Sequence, residues 1–147
     1  MSIIIPTYRS AHRLPVSLDS LSLQKYPNFE VILIDASSDD RTLEDVQKYN
    51  LQNLKIFSVV EYDYYSMLNR GISAASGKYI NFLRPGDFYL SAYTLLHIAR
   101  MGAEQSYPDI VYCGSLQHDR GDEPQVMMRE LKPSMLKKGI MTTTLQS

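Results

Sequence analysis

The run of residues from 30 to 42 limits the fold of this chain more than any other part of the sequence. It starts with an apolar stretch, Val31 to Ile34, which is too short for a helix and shows no alternation with polar residues. Such a stretch is typical of a parallel strand buried on both faces. Asp35 follows where the strand should end, and open α/β sheets bind ligands beyond the carboxyl ends of their strands. The sequence therefore predicts a binding group at Asp35, whereas the polar residues 37–40 could equally cap the next helix.

Predicted strands and helices alternate along the first 113 residues. Short β-branched runs indicate strands, and apolar residues three and four positions apart indicate helices. The expected strands are residues 3–5, 31–34, 55–59, 79–83 and 109–113, and the expected helices are residues 11–24, 41–49, 64–75 and 91–103. Pro6 should stop the first strand, because proline cannot donate to a sheet ladder. This alternation predicts an α/β fold, with a mainly parallel sheet and helices on both faces.

The pattern weakens after Gly114. The segments Leu116 to His118 and Gln125 to Glu130 could pair as a hairpin, whereas residues 133–147 show neither a helix stop nor a charged tail. A length of 147 residues suits one domain with a real core. We expect a single domain over residues 1–147, truncated at its C-terminal end from a longer protein.

Composition and missing motifs exclude several classes of protein. The 15 Lys and Arg residues nearly balance the 16 Asp and Glu residues, and no basic stripe predicts a nucleic-acid partner. The single cysteine, Cys113, cannot form an internal disulfide and favours a reducing, cytoplasmic compartment. No apolar run in this sequence is long enough to predict a transmembrane segment. The motifs GxGxxG, GxxxxGK and GxSxG are missing, and the three histidines lack metal-ligand spacing.

Polar side chains follow three of the predicted strands. Thr7 and Tyr8 come after the first strand, Asp35 after the second and Asp87 after the fourth. Because the carboxyl ends of parallel strands meet at one edge of a sheet, these groups could line one crevice.

Several segments of the first ninety residues stand in a particular order and spacing. They are residues 3–8, the group Leu18, Asp19, Ser20, Leu21 and Gln24, and residues 28–42, 65–72 and 75–83. No single segment is specific, but the ordered set resembles the family 2 glycosyltransferases, which have the GT-A fold. The resemblance implies a Rossmann-like domain in which residues 1–115 bind a nucleotide sugar and residues 116–147 begin an incomplete acceptor-side region.

The resemblance implies an inverting enzyme that transfers a sugar from a UDP-linked donor to a hydroxyl of a glycan or glycolipid acceptor. A strand-end carboxylate would be a strong acceptor for the ring N–H of uracil. Arg70 would meet ribose or phosphate, although a solvated helix position explains it equally well, and a bond to nearby backbone is slightly favoured for Asn69. The nucleotide-binding residues implied in this way are Pro6, Thr7, Tyr8, Arg9, Asp35, Asn69, Arg70 and Arg84.

The metal motif of the family, two Asp residues separated by one residue, aligns with the segment from Arg84 to Asp87, which keeps only the last carboxylate. The resemblance implies Mg²⁺ or Mn²⁺ held weakly by Asp87, with phosphate and water as the other ligands. Arg84 could instead supply positive charge directly, and Asp87 could instead cap the following helix. The family's catalytic base cannot be matched here. The available carboxylates Asp119, Asp122, Glu123 and Glu130 fall in the predicted hairpin region.

We therefore expect a glycosyltransferase of glycan or cell-envelope polysaccharide synthesis, in the cytoplasm or at the inner face of the membrane. The alternative is a degenerate, non-catalytic domain of the same fold that binds nucleotide sugars or serves assembly, because the metal motif is reduced and the base is missing. A receiver-like signalling domain is disfavoured, since it needs an acidic cluster where this chain has Pro6, Thr7, Tyr8 and Arg9.

Overall fold

The computed structural model describes residues 1–36, 40–111, 114–117 and 125–127, which belong to two compact units, residues 1–104 and 105–147. In the first unit four strands alternate with four helices. The strands are β1 (Ser2–Thr7), β2 (Glu30–Ala36), β3 (Leu54–Val59) and β4 (Ile80–Phe82), and the helices are α1 (Leu14–Ser22), α2 (Thr42–Gln47), α3 (Tyr64–Ala74) and α4 (Thr94–Glu104). The strands form one parallel sheet in the order β3-β2-β1-β4, which confirms the predicted parallel sheet.

The two central strands have a core on each face, as the apolar run in β2 predicted. Ile3 and Val31 point to the face covered by α1, α2 and α4, where Leu18 of α1 is fully buried. Ile4 and its neighbours on β2 point to the opposite face, which α3 covers. Helices therefore lie on both faces of the sheet.

Helix α3 approaches the sheet closely at Gly71. A Cβ atom at this position would lie 2.4 Å from Cγ2 of Ile4, which is itself completely buried. Interiors are packed too densely to absorb such an overlap without a shift of the helix or the strand. The glycine thus sets the distance between α3 and β1.

Strand β1 does not stop at Pro6, contrary to the prediction. It runs on to Thr7, and Pro6 pairs with Ile34 of β2. Ser2 and Ile4 use their backbone groups toward β4, because Ser2 N–H donates to the Tyr79 carbonyl and the Ile4 carbonyl accepts from Leu83 N–H. Pro6, two residues further on, faces the same side beyond the last pair with β4, so its missing N–H costs no ladder bond.

The second unit contains a two-stranded antiparallel pair, β5 (Ser115–Gln117) and β6 (Gln125–Met127), at the position of the predicted hairpin. The strand predicted over residues 109–113 is wrong for residues 109–111, and residues 112–113 lie outside the described residues. Ser106 and Tyr107 have φ of 58° and 60°, so the chain turns just before this segment, and Ile110 is 49% exposed. The single domain over residues 1–147, with its division at residue 115, stays a prediction.

Candidate functional site

The candidate site lies at the edge of the sheet where the strands end. The chain runs from β1 outward through β2 to β3 and then crosses to β4 on the other side of β1, so the strand order reverses at β1. Open α/β sheets bind their ligands at such a switch point, beyond the carboxyl ends of the strands. The predicted residues Thr7, Asp35, Arg84 and Asp87 all lie at or just after the carboxyl ends of β1, β2 and β4.

Thr7 and Asp35 form the floor of this edge. They are paired in register, and the Thr7 hydroxyl donates to Oδ1 of Asp35 at 2.8 Å. The same hydroxyl lies 3.3 Å from the Ile34 carbonyl, a longer and weaker contact. Thr7 is 0% and Asp35 1% exposed, so both residues are almost completely buried. A buried carboxylate has to be hydrogen-bonded, and Thr7 supplies one of these bonds.

Tyr8 and Arg9 continue from β1 into the loop above this floor. The ring of Tyr8 is 43% exposed and packs against the ring of Tyr62, with the ring centroids 5.1 Å apart and the planes tilted by 31°. The Arg9 guanidinium lies 5.3 Å from the centroid of the Tyr8 ring, a cation–π distance. Arg9 has φ of 47°, which a residue other than glycine adopts at a cost and which is common at ligand-binding sites.

The loop after β1 is tied to the loop after β2. Ser10 N–H donates to the Thr42 hydroxyl at 3.0 Å, and Ala11 N–H donates to Asp40 at 3.1 Å. Asp40 also accepts from Thr42 N–H at the start of α2, so the predicted capping role applies to this residue, while residues 37–39 lie outside the described part. Burial opposes ionisation of Asp40, but the bonds from Thr42 and Ala11 outweigh it and hold the pKa of Asp40 below its ordinary value.

Arg84 and Asp87 belong to a tight turn after β4 that is hydrogen-bonded to α1. Asp87 N–H donates to the Arg84 carbonyl, and Gly86 between them has φ of 100°, a conformation that favours glycine. The Ser17 hydroxyl accepts from Gly86 N–H at 3.0 Å and donates to the Asp87 carbonyl at 2.7 Å. Arg84 Nε donates to Oδ2 of Asp87 at 3.2 Å, with both side chains about one-third exposed. The turn and its ion pair are therefore held in one geometry.

The charges of Arg84 and Asp87 both affect the pKa of Tyr64, the first residue of α3. Burial raises the pKa of Tyr64, the positive charge of Arg84 opposes this, and Tyr62 and Asp87 add to it. Because Coulomb interactions fall with distance, Tyr64 belongs to the surroundings of the turn after β4. The beginning of α3 therefore lies within electrostatic range of this turn.

Asn69 and Arg70 lie further along α3, on its exposed side. The Arg70 guanidinium lies 5.1 Å from the ring centroid of Phe57 of β3, and the Asn69 carbonyl accepts from the Ser73 hydroxyl. Arg70 is therefore placed by stacking on an aromatic ring and Asn69 takes part in local helix bonding. Their assignment to the nucleotide stays a prediction.

The residues fit a divalent cation only in company with a nucleotide. Among the described residues no group of three or more His, Cys, Asp or Glu side chains forms a metal site. Asp87 contributes one carboxylate, which Arg84 already contacts. Mg²⁺ and Mn²⁺ are commonly held by one or two carboxylates together with phosphates and water. Asp87 could therefore hold a cation that arrives with a diphosphate, which matches the weak binding expected from the sequence.

A cavity of about 440 Å³ opens at the opposite, amino edge of the sheet. Its lining includes Glu30 and Lys55 and none of the predicted site residues. Oε1 of Glu30 accepts from the Ser2 hydroxyl and from Ser76, and Oε2 accepts from Lys55 at 2.7 Å. Burial opposes ionisation of Glu30, but these bonds, led by Lys55, hold the pKa of Glu30 well below its ordinary value. These groups form a structural hydrogen-bond network at the amino edge, and the cavity beside it does not coincide with the predicted nucleotide site.

Sequence reasoning missed Ser17, Ser10 and Tyr62. Ser17 and Ser20 are polar residues that α1 nevertheless buries, and Ser20 accepts from Tyr89 N–H in the loop after β4. Serine residues on the buried face of a helix are a sequence signal that the helix forms hydrogen bonds with a neighbouring loop. No comparable pattern in the sequence pointed to Tyr62.

An open parallel sheet with its polar residues gathered at the carboxyl edge is the arrangement of α/β proteins that bind ligands at a switch point. The family model described as glycosyl transferase family 2 matches residues 2–141, and the chain belongs to this family, as the resemblance indicated. The architecture is the GT-A, Rossmann-like fold.

Related proteins are glycosyltransferases that are longer than this chain. A PGL/p-HBAD biosynthesis glycosyltransferase of Mycobacterium bovis is 37% identical over 114 residues, which make up 76% of this chain and 44% of that protein. The poly(ribitol-phosphate) beta-N-acetylglucosaminyltransferase TarS of Staphylococcus aureus is 31% identical over 140 residues, covering 91% of this chain and 24% of TarS. The chain thus spans less than half of the length of these relatives.

Solved structures of other glycosyltransferases share this fold. TarS residues 1–349 in complex with UDP match with a TM-score of 0.70 and 27% identity, covering 92% of this chain and 39% of that one. The same protein in complex with UDP-GlcNAc matches with a TM-score of 0.68, covering 92% of this chain and 38% of that one. The mannosyltransferase PcManGT of Pyrobaculum calidifontis, solved with GDP-Man and Mn²⁺, has a TM-score of 0.63 over 69% of this chain and 32% of its own. At 24% identity this last likeness shows the fold alone.

No helix among the described residues is long and apolar enough to cross a membrane.

Proposed function

We propose that this chain is the donor-binding part of an inverting glycosyltransferase that uses a UDP-linked sugar. The observation that carries the proposal is the Thr7–Asp35 pair at the floor of the carboxyl edge, with the half-exposed ring of Tyr8 directly after it. TarS, a relative that covers most of this chain, has been solved with UDP and with UDP-GlcNAc. These facts support a nucleotide site at the same edge of this sheet.

The base and the diphosphate of a UDP-sugar each have a matching group in this site. A carboxylate in the position of Asp35 can accept from the ring N–H of uracil, while the ring of Tyr8 offers an apolar face to the base. Arg84 can donate to diphosphate oxygens, because its guanidinium carries a fixed set of N–H donors that suits phosphate. The site therefore suits a planar base joined to an anionic group.

Transfer with inversion requires an acceptor hydroxyl to attack the anomeric carbon from the face opposite the departing UDP. The C–O bond to the new acceptor forms as the bond to the diphosphate oxygen breaks, the acceptor hydroxyl gives its proton to a general base, and negative charge grows on the diphosphate. Arg84 would stabilise that charge. A divalent cation, when bound by Asp87, would supply further positive charge at the same oxygens.

The acceptor we propose is a hydroxyl of a glycan or glycolipid in cell-envelope polysaccharide synthesis; the poly(ribitol-phosphate) beta-N-acetylglucosaminyltransferase among the relatives supports a polymeric acceptor. The carboxylates Asp119, Asp122, Glu123 and Glu130, weighed as bases from the sequence, lie outside the described residues. The single cysteine favours a reducing compartment, so we place the reaction in the cytoplasm or at the inner face of the membrane. The alternative, a non-catalytic nucleotide-sugar-binding domain, shares the binding site but lacks transfer.

Calorimetric titration of the chain with uridine and with UDP tests the binding claim. We expect both ligands to bind, and Asp35→Asn to weaken both by about tenfold or more, because it replaces a charged acceptor by a neutral amide. The exposed Arg100→Gln on α4 serves as the control and should leave both affinities unchanged. Absence of binding by the folded wild-type chain, or an undiminished affinity in Asp35→Asn, would refute the proposal. Transfer from a labelled UDP-sugar would exclude the non-catalytic alternative.

A further inference from the structure

A second tyrosine ring borders the proposed nucleobase site. Tyr62 lies in the connection between β3 and α3, and its ring centroid is 5.1 Å from that of Tyr8. Both rings stay about half exposed while they are in contact, at 43% for Tyr8 and 55% for Tyr62. Two large rings that pack on each other and still face solvent leave an apolar surface open to a further flat group.

The position of Tyr62 is set by the start of α3. The next residue, Asp63, is the N-cap of this helix and accepts from Ser66 N–H at 3.2 Å and from the Ser66 hydroxyl. The helix is in turn packed on the sheet through Met67 and Gly71. A capped helix end that is anchored to the core holds the residue before it in a defined place. The ring of Tyr62 is therefore presented to Tyr8 by a rigid element.

Tyr8 is held from a second side by Arg9. The guanidinium lies 5.3 Å from the centroid of the Tyr8 ring, and the left-handed backbone of Arg9 places it there. Tyr8 itself follows Thr7, which bonds Asp35. The ring of Tyr8, one residue beyond Thr7, is thus in contact with one aromatic and one cationic neighbour.

We propose that Tyr62 is a positioning residue of the donor site, which holds the ring of Tyr8 in the orientation that stacks on the flat face of the nucleobase. This inference rests on the proposed function, because it presumes that a nucleoside diphosphate binds at this edge. Stacking is tolerant of base identity, whereas a hydrogen bond to Asp35 selects the base by its edge. Tyr62 therefore contributes affinity for the nucleoside and leaves the recognition of the diphosphate unchanged.

The test compares ligands with and without a base. The whole chain is titrated with uridine, UDP and inorganic pyrophosphate, in the wild type and in Tyr62→Ala, Tyr62→Leu and Tyr62→Phe. Loss of an aromatic pair should weaken uridine and UDP by the same factor, about two- to tenfold, and leave pyrophosphate binding unchanged. Tyr62→Leu keeps bulk without a π face and should behave like alanine, whereas Tyr62→Phe should restore wild-type affinity. The matched control is Tyr65→Ala, since Tyr65 is 74% exposed and packs on Tyr64 instead.

Distinct outcomes separate the two claims. If the wild type binds neither uridine nor UDP, the proposed function fails and the inference fails with it. If the wild type binds both but Tyr62→Ala and Tyr62→Leu match it, the positioning role is refuted while the site stands. Tighter uridine binding in Tyr62→Ala would make Tyr62 a cover over Tyr8, which contradicts the proposal. Weakened pyrophosphate binding would indicate a general structural effect and would also overturn it.

Discussion

Replacing Thr7 by valine removes one hydroxyl from the floor of the site at almost constant shape. The Thr7→Val change deletes the 2.8 Å bond to Oδ1 of Asp35. Both residues are at most 1% exposed, so water cannot easily replace the lost donor. A hydrogen bond to a charged group contributes about 1.5–3 kcal/mol, and a buried acceptor that loses its donor costs a similar amount. We expect the free energy of unfolding to fall by about 1.5–3 kcal/mol.

Urea denaturation measures this change as a lower midpoint with an unchanged slope. Thr7→Ser is the matched control, because it keeps the hydroxyl and loses only a methyl group, at a cost of about 1 kcal/mol. UDP affinity should fall in Thr7→Val, where Asp35 loses the group that orients it, and stay near the wild-type value in Thr7→Ser. Equal destabilisation by both substitutions, together with unchanged UDP affinity in both, would show that the hydroxyl does not orient Asp35.

Three further changes probe the other parts of the first unit. The pKa of Glu30 is depressed in the folded chain, so the stabilisation by its carboxylate is fully present above the ordinary value of 4.5 and is lost progressively as the pH falls below that value. Glu30→Gln should lower the free energy of unfolding at pH 7 by about 1–3 kcal/mol. Denaturation at pH 3 should show a smaller difference in stability between the wild type and this variant. Ser17→Ala removes the hydrogen bonds between the Ser17 hydroxyl and the turn after β4, which carries Arg84 and Asp87. It should therefore weaken UDP binding more than uridine binding in paired titrations, and equal effects would contradict this. Mn²⁺ should raise the affinity of the wild type for UDP and not for uridine, and EDTA or Asp87→Asn should abolish that gain; a gain that persists in Asp87→Asn would place the cation elsewhere.

The sheet could be predicted from the sequence because burial leaves a direct trace in residue type. The strand β2 is buried on both faces, and only an unbroken apolar run survives in that position. Pro6 misled the prediction because proline is excluded from a ladder only where its N–H would face a partner strand, and the end of β4 removes that partner. The segment 109–111 misled it because apolar residues alone do not reveal the left-handed turn that precedes them.

The candidate site was only partly predictable for a related reason. The strand order is known from the structure alone, but the positions of strand-end residues such as Asp35 are indicated by the sequence pattern. Contacts between loops are not, since Tyr8 and Tyr62 are separated by 54 positions and meet only after β1 and β3 have taken their places in the sheet. The same holds for Ser17, whose partners in the turn after β4 lie about seventy residues away.

The two carboxylates near the ends of β2 are buried in different surroundings. Glu30 begins the strand and Asp35 follows it near the other end, and both are almost completely buried. Glu30 is surrounded by Ser2, Ser76 and the ammonium group of Lys55, so its charge is neutralised within the protein. Asp35 lies instead at the edge where the helices α2 and α3 begin and where half-exposed tyrosine rings gather. Because open α/β sheets bind ligands beyond the carboxyl ends of their strands, we expect Asp35 and not Glu30 to meet a ligand, in addition to the stabilising bond that Asp35 accepts from Thr7.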